Sequence, residues 1–143
     1  KTYYSFPSPN KLASLSEDEL KKTKCGYRAK YIIETARIIA DGKVDLYDLR
    51  ELPIDEAREV LLTLPGVGRK VADCIMLYSM RKFDAFPIDV WIKRVLEHIY
   101  FSGNQMPIKK LQKFAEEKFG DKAGFMQQYL FYYSRNCLQN IIK

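Results

Sequence analysis

Between Ala57 and Tyr78, two runs of apolar residues spaced three and four apart are interrupted by Leu64-Pro65-Gly66-Val67-Gly68, and Arg69-Lys70 follow at once. Spacing of that kind belongs to helices that bury one face. Proline and glycine end the first run, and glycine reaches backbone angles closed to other residues, so the two helices meet at a tight turn. The same three-and-four spacing governs the rest of the chain, and no stretch sustains the alternation of a half-buried strand. The expected class is therefore all-α, a helical bundle built around a helix-hairpin-helix.

The remaining elements follow from local signals. Ser16-Glu17-Asp18-Glu19 has the form of a capping box and predicts a short helix. A longer helix is expected from about Tyr27 to Ala40, burying Tyr31, Ile32, Thr35, Ile38 and Ile39, and ended by Asp41-Gly42. Pro53 suits a first helical turn, after which Ala57, Val60, Leu61 and Leu64 form the inward face of the first hairpin helix. The second hairpin helix starts near Arg69 with Val71, Ile75 and Tyr78 on one face. Further helices are expected over Asp89–Tyr100, Pro107–Phe119 and Ala123 to about Leu138.

With 143 residues and 47% hydrophobic content, the chain supports one ordinary core, so residues 1–143 are read as a single helical domain. A formal charge of +6 favours polyanions such as nucleic acid, as a weak prior. Cys25, Cys74 and Cys137 stand far apart, and His98 is the single histidine, which excludes a zinc set and suggests reduced thiols. No segment has membrane-spanning length, and the opening KTYYSFPSPN lacks the features of a signal peptide, so a soluble protein is expected. The chain starts at Lys1 without a methionine, which suggests a processed product or a piece of a larger one.

Lys70 breaks a local rule. It stands in the first turn of its helix, where the helix dipole disfavours a cation, and such violations gather at functional sites. As a nucleophile it would have to be uncharged, and at the reference pKa only about one lysine in a few thousand is neutral at pH 7, a penalty of about 4 to 5 kcal/mol. A dry pocket and a helix N-terminus would both reduce that penalty. The plainer reading is a solvated or phosphate-contacting lysine. The open amides after Gly66 and Gly68 suit a phosphate oxygen, and the carbonyls of Leu62, Leu64 and Val67 are candidate ligands of a structural monovalent cation. Asp89, after Phe86-Pro87-Ile88, looks like an N-cap; the same carboxylate would also suit a developing positive charge.

LPGVGRKVADC followed by PIDVW resembles the HhH-GPD superfamily of helix-hairpin-helix DNA glycosylases, and GYRAKY at 26–31 with GFMQQYLF at 124–131 is similar to its 8-oxoguanine DNA glycosylase branch. These separated motifs span most of the chain. The resemblance implies base excision repair by a bifunctional glycosylase and abasic-site lyase, with Lys70 as nucleophile and Asp89 as its acidic partner. It further implies that Cys74 and Phe131 hold the two faces of an everted oxidised guanine while Gln127 reads its Watson–Crick edge. Tyr27 and Arg28 would enter the vacated stack, and the amides of Gly66, Gly68 and Lys70 would hold phosphates. Trp91 stands where the family commonly has a phosphate-proximal histidine, so a different phosphate contact is implied there.

By the same resemblance the family's N-terminal β-rich domain and first helices are absent, making the chain the C-terminal part of an enzyme that works with its upstream half on duplex DNA. The isolated piece need not be active. No cofactor and no iron-sulfur cluster are implied beyond the monovalent cation, no membrane is involved, and the location is cytoplasm or nucleoid in a prokaryote and nucleus in a eukaryote. Two alternatives remain open at this level: a non-catalytic helix-hairpin-helix module that only grips DNA, and a glycosylase for another lesion.

Overall fold

The computed structural model describes residues 2–137, and its elements are helical. Eight α-helices follow in order among these residues: α1 (Pro9–Ala13), α2 (Glu17–Lys21), α3 (Arg28–Ala40), α4 (Ile54–Leu62), α5 (Arg69–Ser79), α6 (Val90–Tyr100), α7 (Ile108–Phe119) and α8 (Ala123–Cys137), with 3-10 turns at Asp48–Arg50 and Gly120–Lys122. None of them is long and apolar enough to cross a membrane. The expected end of the last helix at Leu138 lies outside the described residues.

Local chemistry accounts for most starts. Ser16 and Glu19 form the reciprocal capping box at α2. Asp89 caps α6 through its side chain. Ser8 accepts from the Lys11 amide and, with Pro9 at the first helical position, starts α1, a helix the sequence reading passed over although both signals are present.

Three clusters of buried side chains hold the helices together. Leu20, Ala29 and Ile33 join α2 to α3. Ala57, Leu61, Leu64, Ala72, Met76 and Leu77 join the two hairpin helices. Ile92, Val95, Leu96, Leu111, Ala115 and Leu130 join α6, α7 and α8.

Two predicted faces are rotated. In α3 the buried residues are Ala29, Ile33 and Ala36, while Ile32, Thr35, Ile38 and Ile39 are half-buried at the margins and Tyr31 is exposed. The small alanines let α1 approach α3 closely, an advantage that a reading by hydrophobicity overlooks. In α5, Val71 and Tyr78 are exposed and Ile75 half-buried, whereas Ala72, Asp73, Met76 and Leu77 point inward. The error came from Asp73: a buried carboxylate interrupts the apolar pattern and displaces the apparent face by one residue.

Candidate active site

The hairpin between α4 and α5 is closed by backbone bonds: Thr63 N to Val60 O, Leu64 N to Leu61 O, and Val67 N to Leu64 O at 3.1 Å. Gly66 has φ +77°, and a Cβ there would lie 2.7 Å from Cγ of Tyr31, so both backbone conformation and packing require glycine. Thr35 Oγ1 donates to Pro65 O at 3.2 Å and ties the turn to α3. Gly68 is the extended N-cap of α5 and offers no side chain to its first amides. Gly66, Gly68, Arg69 and Lys70 are all exposed, so these donors face outward, the arrangement that receives an anion at a helix start.

Beneath this open end lies a buried ion network. Arg58 Nε donates to Asp73 Oδ1 at 2.8 Å, Asp55 takes another guanidinium nitrogen, and Arg69 stands 3.7 Å from Asp73 Oδ2 and 3.3 Å from Glu116. It joins α4, α5 and α7 near the open start of α5.

Lys70, Cys74 and Tyr78 recur every fourth residue and share one face of α5. Lys70 is exposed in this chain. The dry pocket expected around its amine is not formed by the described residues, because it sits in the first turn, ahead of the layer where α5 is covered. Cys74 is half-buried; burial pushes its thiol up, the charge of Lys70 opposes that shift, and the charges of Asp73 and Asp89 add to it. The thiol therefore stays neutral and polarizable at pH 7, and it feels both Lys70 and Asp89. Sequence spacing left open whether those two approach each other, and no hydrogen bond or ion pair joins them among the described residues.

Asp89 is half-buried and accepts the Ile92 amide on Oδ1 at 2.8 Å. The segment leading to it, Ala85–Ile88, is buried. Gln127 of α8 is also buried and donates from Nε2 to Pro87 O at 3.2 Å, which fastens it to the strand of chain that carries Asp89. Phe131, one turn on, is half-buried against the α6–α8 core with the Arg135 guanidinium 5.7 Å from its ring centre. Gly124 makes this docking possible: its amide meets Phe83 O at 2.7 Å, and an added Cβ would come within 2.3 Å of Leu77. Trp91 is half-buried, with Arg94 placed 6.0 Å from its ring centre, so a cation accompanies the indole at this position.

Tyr27 and Arg28 belong to a different neighbourhood. Tyr27 is 73% exposed, Arg28 lies 4.8 Å from its ring centre, and both line an apolar cleft of about 660 Å³ between α1, α3 and the hairpin. Lys70, Cys74, Asp89, Gln127 and Phe131 do not line that cleft. At the hairpin's carbonyl side, Leu64 O already accepts the Val67 amide, while Leu62 is exposed. Among the described residues no group of three His, Cys, Asp or Glu side chains is placed to hold a metal ion.

The sequence reading missed two features. The Arg58–Asp73 pair carries a signal only in hindsight, as a charge inside an apolar stripe. Tyr78 was assigned to the core, yet its hydroxyl meets Gln128 Nε2 at 2.6 Å and links α5 to α8.

Comparison with known proteins bears on the family and the fold. Residues 1–120 match the model of the HhH-GPD superfamily of base excision DNA repair proteins. A probable N-glycosylase/DNA lyase of Methanothermobacter thermautotrophicus is 39% identical, over 94% of this chain and 48% of that protein. The N-glycosylase/DNA lyase OGG1 of Arabidopsis thaliana is 36% identical, over 90% of this chain and 38% of its own. Among solved structures, the Clostridium acetobutylicum 8-oxoguanine glycosylase/lyase bound to double-stranded DNA with cytosine opposite 8-oxoguanine superposes with a TM-score of 0.89 at 43% identity, covering 94% of this chain and 46% of that one. The chain thus spans less than half the length of each of these relatives.

Proposed function

The chain belongs to the HhH-GPD superfamily of base excision DNA repair proteins, and from that membership we propose that it carries the lysine-bearing part of a glycosylase and abasic-site lyase acting on oxidised guanine in duplex DNA. The observation that carries the proposal is the placing of Lys70 and Cys74 on one face of α5 beside an open helix N-terminus, with Gln127 of α8 bonded to Pro87, two residues before Asp89.

In the proposed reaction, the backbone amides of Gly66, Gly68 and Lys70 grip phosphates without regard to sequence. Everting the damaged nucleotide opposes binding by a few kcal/mol, offset by Tyr27 and Arg28 in the gap and by Cys74, Gln127 and Phe131 around the base. Duplex closing over the exposed first turn of α5 excludes water from around Lys70, which has to attack as the free amine. The Lys70 nitrogen then bonds to C1′ as the glycosidic bond breaks and the base leaves with its electron pair and takes up a proton. Opening of the sugar ring gives a protonated imine, and loss of a C2′ proton expels the 3′ phosphate, which nicks the strand.

Asp89 uses Oδ1 as a cap, so its second oxygen remains for the cationic sugar. Trp91, with Arg94 beside it, takes the phosphate contact of the family's histidine. The carbonyls of Leu62, Leu64 and Val67 are hard oxygen donors, suited to a monovalent cation that would bridge hairpin and phosphate. The upstream half that the relatives possess would be this chain's partner.

Base release and strand nicking on a duplex with one 8-oxoguanine test the proposal. Supplied with that upstream half, the chain should perform both, and Lys70→Gln should lose both while still binding DNA. The exposure of Lys70 favours a second reading, a plain phosphate clamp; equal behaviour of the Lys70→Gln variant would establish that reading instead.

A further inference from the structure

One chain of hydrogen bonds outside the machinery above ends on the residue assigned to read the base. Gln127 Nε2 donates to Pro87 O at 3.2 Å. A carbonyl oxygen only accepts, so the nitrogen of Gln127 has to face it, and this fixes which way round the carboxamide lies. Its Oε1 is thereby turned towards Gln128, whose Nε2 donates to it. The same Nε2 also donates to the Tyr78 oxygen at 2.6 Å, because an amide nitrogen has no lone pair to offer the phenol. The bonds therefore run in one direction from Gln128 to both ends: to Tyr78 on α5, and through Gln127 to the carbonyl two residues before Asp89.

We propose that Tyr78 and Gln128 are positioning residues that hold the Gln127 carboxamide in a single orientation and thereby set which purine it accepts; the inference rests on the base-excision reading given above. With one N–H on Pro87 and one lone pair on Gln128, Gln127 retains one donor and one acceptor. Guanine presents an acceptor at position 6 beside a donor at position 1, and adenine presents the reverse. A fixed carboxamide satisfies one of these edges and sets donor against donor and acceptor against acceptor on the other. A carboxamide free to swing serves both. Pro87 alone fixes the nitrogen but leaves the oxygen free to rotate about that bond; Gln128 restrains the oxygen, and Tyr78 holds Gln128, a residue otherwise exposed and mobile in its rotamers.

The test compares single-turnover base release from two duplexes, one with 8-oxoguanine and one with 8-oxoadenine, for the unaltered chain, Tyr78→Phe, Gln128→Ala and the double variant. Tyr78 is 63% exposed and Gln128 is exposed, so neither change opens the core. Each single variant should lower the 8-oxoguanine to 8-oxoadenine rate ratio about five- to tenfold, and the double variant no further than the larger single effect, since both break the same chain of bonds. A merely structural effect would slow both substrates together and leave the ratio unmoved. An unchanged ratio in both variants, or effects that multiply in the double, overturns the inference while the base-excision reading stands. If the unaltered chain, supplied with its upstream half, releases neither base, that reading falls and takes the inference with it.

Discussion

Helices α5 and α6 both begin from an extended residue, yet they treat their first amides differently. Gly68 leaves those of α5 without a side-chain partner, whereas Asp89 returns its own carboxylate to the Ile92 amide of α6. The same dipole thus faces outward at one site and inward at the other. An open end attracts an anion from outside, here the DNA backbone in the proposed reading. A self-capped end fixes a negative charge at a defined place, where a cationic sugar would meet it. Lys70 stands at the open end and Asp89 is the closed one. The difference comes down to a missing Cβ at position 68 and a carboxylate at 89.

Substitutions at three positions bear on this contrast, from the largest expected effect to the smallest. Asp73→Ala strands the buried Arg58 guanidinium beneath the open end and should reduce stability by about 3 to 5 kcal/mol, read from chemical denaturation. A loss under about 1 kcal/mol would mean that the pair does not anchor α5. Gly68→Asp turns the open start into a copy of the closed one. Nothing lies within 4 Å of a Cβ built there, so the side chain has room. It should add about 0.2 to 0.5 kcal/mol of stability by capping, while weakening DNA binding by about 1.4 to 2.8 kcal/mol, or ten- to a hundredfold, through charge repulsion. Unchanged binding in a filter or fluorescence assay would remove the hairpin from the DNA interface.

At the closed end, Asp89→Ala should lower stability by about 1 kcal/mol, whereas Asp89→Asn keeps a cap of similar strength. Slow base release in the Asn variant at unaltered melting temperature would separate charge from cap; equal loss of stability in both variants would leave the cap as the main duty of Asp89.

Much of this was legible from residue order alone. The hairpin, the capping box at Ser16 and the cap at Asp89 are written in short-range signals, a few residues that interact within one turn, and such signals survive without tertiary knowledge. The inward faces of α3 and α5 were misread for the opposite reason. Ala29, Ala36 and Asp73 are buried because a neighbouring helix or an arginine fifteen positions away meets them, and hydrophobicity at one position does not encode that partner. The site divides the same way. Lys70 and Asp89 announced themselves by breaking or obeying a helix rule, while Tyr78 and Gln128 matter only through a contact across fifty positions. The exposure of Lys70 was not foreseen, since position in the first turn of a helix does not encode what covers the side chain.

Covalent trapping tests the central claim most directly. The chain is mixed with a duplex holding one abasic site, reduced with borohydride, digested and mapped by mass spectrometry. The account predicts a sugar adduct on the peptide containing Lys70 and none with the Lys70→Gln variant. Reduction that yields no adduct on bound DNA, or an adduct on another lysine such as Lys93 that persists in Lys70→Gln, would contradict it.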